Sequence, residues 1–149
     1  MKIIKIAKEL INIAANAGVD IVKFQSFKAN SLVTKEAKKA SYQIENTNDK
    51  DDTQFEMLRS LELSHLDHVN LINHCRKKDV KFLSSAFDID GIDYLNSLGL
   101  DMFKIPSGEI TNLNYLRKIS QIGKPVLLST GMSNIIEIQS AVKILLQGI

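Results

Sequence analysis

Apolar residues in the first stretch fall at Ile4, Ala7, Leu10, Ile11 and Ala14, a spacing that puts them on one face of a helix over 3–16. Ala17 and Gly18 close that helix. The pattern then changes period. VDIVKFQ (19–25) is a β-branched and aromatic run of strand length, as are VKFLSSAF (80–87), MFKIPS (102–107) and PVLLST (125–130). Helical spacing returns in SHLDHVNLINHCRKK (64–78, with Ser64 placed to cap it), DIDGIDYLNSLG (88–99, stopped by Gly99), NLNYLRKISQIG (112–123) and residues 133–147. After the first strand, strand centres lie about 20–25 residues apart, the pitch of βα units in a parallel sheet. The strands are nearly continuous apolar runs, which fits a sheet covered on both faces. A parallel α/β architecture follows.

Two features complicate that reading. Residues 28–63 are long for a connection, and their middle, SYQIENTNDKDDTQ (41–54), is polar and turn-rich. A loop of that length is either functional or a floppy insertion. Four strands, moreover, cannot close a barrel of eight. The pattern predicts either a small open sheet or a part of a barrel.

Composition narrows the class more than the fold. The chain has 149 residues, 44% apolar and 24% charged, as in an ordinary globular domain. A net charge of +2, with lysines and arginines scattered among acids, supplies no stripe for nucleic acid or a membrane surface. No apolar run approaches the roughly 18 residues of a membrane span. The N-terminal stretch reads as an amphipathic helix rather than a signal peptide. The single cysteine, Cys75, excludes an internal disulfide, fits a reducing cytoplasm and reads as a packing residue.

Candidate chemistry gathers at the carboxyl ends of the strands, where parallel α/β folds bind ligands. The first strand ends in Lys23-Phe24-Gln25, with alternation putting Lys23 and Gln25 on one face. The second ends in Ser84-Ser85, the third in Lys104-Ile105-Pro106-Ser107-Gly108-Glu109, and the fourth in Ser129-Thr130-Gly131. A lysine within an apolar strand is costly to bury unless it meets an anion. Two of them beside several hydroxyls point to a phosphate or carboxylate pocket, against the simpler alternative that each snorkels out or pairs with an acid. Glu109 is placed either for acid–base work or for capping the next helix. His65, His68 and His74 all lie on the 64–78 helix, away from any strand end, and read as solvent-facing rather than as metal ligands.

In order, AGVDIVKFQSFKANSLVT, YQIENT, QFEMLRSLELS, FLSSAFD, FKIPSGEITNLNYL and GKPVLLSTGM resemble the N-acetylneuraminate (sialic acid) synthase family, which also makes legionaminic and pseudaminic acids. VKFQSFKA and KIPSGE carry most of the specificity. The resemblance implies a (β/α)8 barrel enzyme, a transferase that joins phosphoenolpyruvate to an N-acetylmannosamine-type aldehyde. Carbon 3 of phosphoenolpyruvate attacks the aldehyde, water adds at carbon 2, and phosphate leaves by C–O cleavage. A divalent metal, Mn²⁺ or Mg²⁺, polarises the aldehyde in such enzymes, and the resemblance implies a homodimer for full-length members. By the same resemblance Lys23, Lys104 and Ser107 hold phosphoenolpyruvate, and Ser85 and Ser129 are further substrate contacts. Gln25 and Asn46 face the sugar, and Glu109 is the candidate for proton transfer.

Family members begin with a strand carrying an acidic-Ile-Gly-Asn-His-type motif. They continue with further strands bearing two metal-binding histidines, and end in a small antifreeze-like domain. On this comparison residues 1–149 form the second to fifth βα segment of an incomplete catalytic barrel, missing the first strand and the last three. The metal ligands and the antifreeze-like domain are absent, so the chain is expected to be inactive or barely active alone. Synthases of octulosonate phosphates share barrel and chemistry but need arginines for a second phosphate, and Arg59, Arg76 and Arg117 fall on predicted helices or loops. A fragment acting only as a binding module is the alternative from another class. The choice among sialic, legionaminic and pseudaminic precursors is open at this level.

Overall fold

In the computed structural model the structure describes residues 2–47 and 53–148, apart from the side chains of Lys2, Asn46 and Thr47. Helix α1 (Lys2–Asn16) leads into strand β1 (Ile21–Gln25). Three short helices follow, α2 (Ala29–Leu32), α3 (Ser41–Thr47) and α4 (Gln54–Ser60). Then come α5 (His65–Lys77), β2 (Lys81–Ser85), α6 (Ile89–Ser97), β3 (Phe103–Ile105) and a 3-10 turn at Ser107–Glu109. Helix α7 (Leu113–Ile122), β4 (Val126–Leu128) and α8 (Ile135–Leu146) complete the order.

The predicted alternation is present, with parallel pairing throughout. β1 pairs with β2, aligning Lys23 with Leu83 and Gln25 with Ser85. β3 pairs with β4, aligning Lys104 with Leu127 and Ile105 with Leu128. β2 and β3 lie side by side without joining the two ladders into one sheet. This is a portion of a (β/α) barrel.

Two apolar clusters hold the helices to the strands. Ala7 and Ile11 of α1 meet Leu71 and Cys75 of α5 and the outward side chains Val22 and Phe24 of β1. Ile92 and Leu95 of α6, Tyr115, Leu116 and Ile119 of α7 and Ala141 of α8 enclose Phe103 and Ile105 of β3. Phe82 of β2 packs against both clusters and stacks on Phe24 with centroids 5.4 Å apart. The Cys75 thiol is buried there, and its pKa is pushed up to about 11 by desolvation, so it is an inert packing group.

Local chemistry fixes where the helices begin. Ser64 and Asp67 form a reciprocal capping box at α5, and Asn134 and Glu137 form another at α8. The Ser64 hydrogen bonds hold the Asp67 carboxyl below its usual range. Asp88 accepts from the Gly91 amide at 2.6 Å to start α6.

The 28–63 stretch differs from the loop that its polarity predicts. α4 buries Phe55, the Gln54 amide donates to the Ala37 carbonyl at 3.0 Å, and Glu62 receives the Ala29 amide at 2.8 Å and Lys28 at 3.3 Å. Each helix here is at most seven residues, too short to show a helical period in the sequence. Apolar side chains stay exposed at both ends of the fold, Ile6, Leu10 and Ile13 on α1 and Ile135, Ile136 and Leu146 on α8.

Candidate anion-binding site

Side-chain alternation sorts each strand into a helix-facing and an inner face. Val22 and Phe24 go into the helix-side cluster, which leaves Lys23 and Gln25 on the inner face. Their ladder partners Leu83 and Ser85 share that face. On β3, Phe103 and Ile105 are core residues and Lys104 turns the other way, beside its partner Leu127. Ser129 continues the alternation after β4, its amide donating to the Ile105 carbonyl at 3.1 Å.

The two lysines come together. The Lys104 ammonium donates to Ser129 Oγ and, at 3.2 Å, to the Ile105 carbonyl. Burial first, and then the nearby Lys23 ammonium, hold its pKa below the ordinary lysine value. Among the described residues neither lysine forms an ion pair with a carboxylate. Two cations and a hydroxyl thus share the inner face at the strand ends, with no carboxylate paired to either lysine among the described residues.

Ser107 opens the 3-10 turn and meets the loop after β4. A Cβ on Gly131 would lie 2.6 Å from Ser107 Cβ, and Gly131 has φ +50°. Only glycine lets these two loops touch. Gly131→Ala is therefore expected to cost about 1–2 kcal/mol in backbone strain alone, and to displace Ser129 from Lys104. Urea unfolding measures the first effect and the Lys104 side-chain NMR shift the second.

Glu109 turns toward α7, where its Oε2 accepts from the Asn112 amide at 2.7 Å while Asn112 caps the helix by accepting from the Tyr115 amide. Glu109 thus braces the residue that caps α7 rather than capping the helix itself. Tyr115 donates to the Ala86 carbonyl at 2.9 Å; burial, and then Glu109 and Asp88, push its pKa up. Ser85 is buried on the inner face. Asn46 belongs to α3 by its backbone, and its side chain lies outside the described residues.

The histidines require a correction. His68 is buried, not solvent-facing, and it does reach the strand ends: its Nε2 is 2.7 Å from Ser26 Oγ, which is 2.7 Å from Ser84 Oγ on β2. His74 is half-buried against Asn12 at 2.9 Å, and His65 alone of the three is exposed. A signal was present, because His68 shares the three-and-four spacing of the buried Leu71 and Cys75. Among the described residues no group of three His, Cys, Asp or Glu side chains could hold a metal ion. No helix among them is long and apolar enough to cross a membrane.

The parallel strand–helix repeat places the chain among (β/α) barrels by class, with the cationic, hydroxyl-lined mouth at the end where such folds bind ligands. A sialic acid synthetase from Leptospira borgpetersenii shares the fold, with a TM-score of 0.81 and 24% identity over 97% of this chain and 46% of that one. The chain belongs to the NeuB family, which matches residues 10–148, and members of that family are sugar-acid synthases. It is 51% identical to the N,N'-diacetyllegionaminic acid synthase of Campylobacter jejuni, over 95% of this chain and 42% of that protein. With the enzyme of the same name from Legionella pneumophila it shares 45% identity, over 93% of this chain and 39% of that protein. The chain thus spans about two fifths of the length of these relatives.

Proposed function

We propose that this chain supplies the phosphoenolpyruvate-binding part of a sugar-acid synthase that condenses phosphoenolpyruvate with an N-acetylated amino sugar. The observation that carries the reading is the pair Lys23 and Lys104 on one inner face, without a carboxylate partner among the described residues and with Ser129 held by the second. Their charge suits the phosphate and carboxylate of phosphoenolpyruvate, and partial burial strengthens each contact. As carbon 2 passes through its tetrahedral intermediate, the same cations stabilise the departing phosphate. Ser107 lies at the rim as a further donor, and Ser85, buried on the inner face, is assigned as another substrate contact. Gln25 and Asn46 face the sugar, and Glu109 moves the proton once a substrate competes for its bond to Asn112.

A divalent metal, when bound to such synthases, polarises the sugar aldehyde. The histidines here do not fit that task, since His68 is engaged at both ring nitrogens and His65 and His74 stand apart from the lysine pair. Their side chains are assigned no step in the chemistry. The complete protein, with the rest of the barrel and an antifreeze-like domain, works as a cytoplasmic homodimer. The chain alone binds phosphoenolpyruvate without turnover. Relatives at 51% and 45% identity favour the diacetyllegionaminic product over sialic or pseudaminic acid.

Calorimetric titration of phosphoenolpyruvate at neutral pH tests the reading, with binding expected and complete absence of binding at millimolar ligand overturning it. The pH dependence adds a second check. A lysine whose pKa is held below 10.5 loses its proton earlier on the alkaline side. Affinity is therefore full near neutrality and declines as pH rises through that lowered value. Ser129→Ala removes the hydroxyl that holds the Lys104 ammonium, and about tenfold weaker binding is expected.

A further inference from the structure

The buried bridge behind β1 is not used by the pocket chemistry, yet it ends at the residue next to Gln25. His68 Nδ1 lies 2.8 Å from the Ser64 carbonyl, which can only accept, so the ring proton sits on Nδ1. Nε2 is then a bare acceptor, and Ser26 Oγ donates to it at 2.7 Å. Ser26 oxygen is left to accept from Ser84 Oγ at 2.7 Å. Protons thus run one way, from Ser84 to Ser26 to His68 to a helix carbonyl. All three groups are buried, with exposures of 6% for Ser26, 2% for His68 and 0% for Ser84. The edges of Phe82 and Tyr94 clamp the ring, at interplanar angles of 75° and 85°.

We propose that His68 is a positioning residue for the anion pocket, holding the end of β1 through Ser26 so that Lys23 and Gln25 stay turned toward Lys104. This rests on the phosphoenolpyruvate reading above. The mechanism is geometric. Ser26 is also tied by its backbone amide to the Ser85 carbonyl at 2.8 Å, so its helix-side anchor fixes which way its neighbour points. An imidazolium has no lone pair at Nε2, so protonation forces the chain to reverse, with Nε2 donating to Ser26 and Ser26 to Ser84.

Burial, the leading cause, lowers the His68 pKa from 6.5, while Asp67 raises it and His65 and Lys28 lower it. Asp88, Asp90 and Tyr94 line the same cavity of about 200 Å³ from the side of α6. The neutral ring is therefore the working form at neutral pH, and as pH falls through the lowered value a buried charge and a reversed chain replace it, which weakens the anchor.

Phosphoenolpyruvate affinity is measured at pH 7.5 and 5.5 for wild type, His68→Gln, His68→Leu and Ser26→Ala, with amide NMR shifts of Lys23 and Gln25 as the structural readout. Glutamine keeps an acceptor near the Nε2 position and does not titrate. His68→Leu and Ser26→Ala are expected to bind about tenfold more weakly at pH 7.5, the cost of one buried bond, with shifted Lys23 and Gln25 amides. His68→Gln is expected to stay within about threefold of wild type there, and to lose less affinity than wild type on acidification. Because every variant meets the same ligand titration, the difference between them isolates the ring. Equal affinities and unmoved amides in Ser26→Ala and His68→Leu overturn the proposal while leaving the pocket intact. Should His68→Leu fail to fold, Ser26→Ala and the pH contrast of His68→Gln decide it. A wild type that does not bind at all overturns the pocket reading and this one together.

Discussion

Lys104→Met abolishes phosphoenolpyruvate binding and at the same time makes the fold slightly more stable. Removing one cation of a desolvated site built for an anion typically costs 2–5 kcal/mol, so at least about a thirtyfold loss of affinity is expected. Stability moves the other way, because the ammonium is partly buried beside Lys23 with no carboxylate among the described residues to offset it. Methionine keeps an unbranched side chain, one atom shorter, and removes the repulsion. A gain of roughly half a kcal/mol corresponds to about 1–2 °C in Tm for a chain of this size. Calorimetric titration and thermal melting on the same sample check both signs. A melting point that falls with affinity intact means that the lysine is a structural strut, and the pocket assignment goes with it.

Phe103→Ala is expected to be the most damaging single core change. Its ring is 2% exposed and packs among residues of α6 and α7 on the helix side of β3. Loss of a buried phenylalanine costs about 3–5 kcal/mol once the cavity is counted. That is a large part of the roughly 5–15 kcal/mol that holds a typical domain together. The urea midpoint should drop sharply with the slope of the transition unchanged. Phe103→Leu, closer in volume, is the control and should cost less than about 1.5 kcal/mol. Ligand binding should fail in the alanine variant in proportion to its unfolded fraction, because Phe103 and Lys104 are neighbours on opposite faces of one short strand.

The strands and long helices were legible because each combines a clear period with local punctuation. Ser64 caps α5 as its position foretold, and Gly99 follows α6 with φ +74°. Predicted strands were longer than the observed ones, since PVLLST and MFKIPS include residues that leave the ladder to form the mouth of the site. The convergence of Lys23 and Lys104 was readable from alternation alone, because parallel pairing keeps equivalent side chains on one face. What stayed hidden depends on distant partners. Nothing near His68 in the sequence announces Ser26 and Ser84, which are 42 and 16 positions away. The helices around 29–60 are held by Glu62 and a few buried side chains such as Phe55, contacts that no short window contains.

The brevity of β3 has a consequence for how the chain finds its fold. With only Phe103, Lys104 and Ile105 in the ladder, the backbone hydrogen bonds discriminate poorly between neighbouring alignments. The charge does so instead: sliding by one position would thrust an ammonium among Ile92, Leu95 and Leu116, a burial no oily surround tolerates. The lysine proposed to meet a substrate's charge thus also proofreads assembly, penalising the misthreaded chain before any ligand arrives.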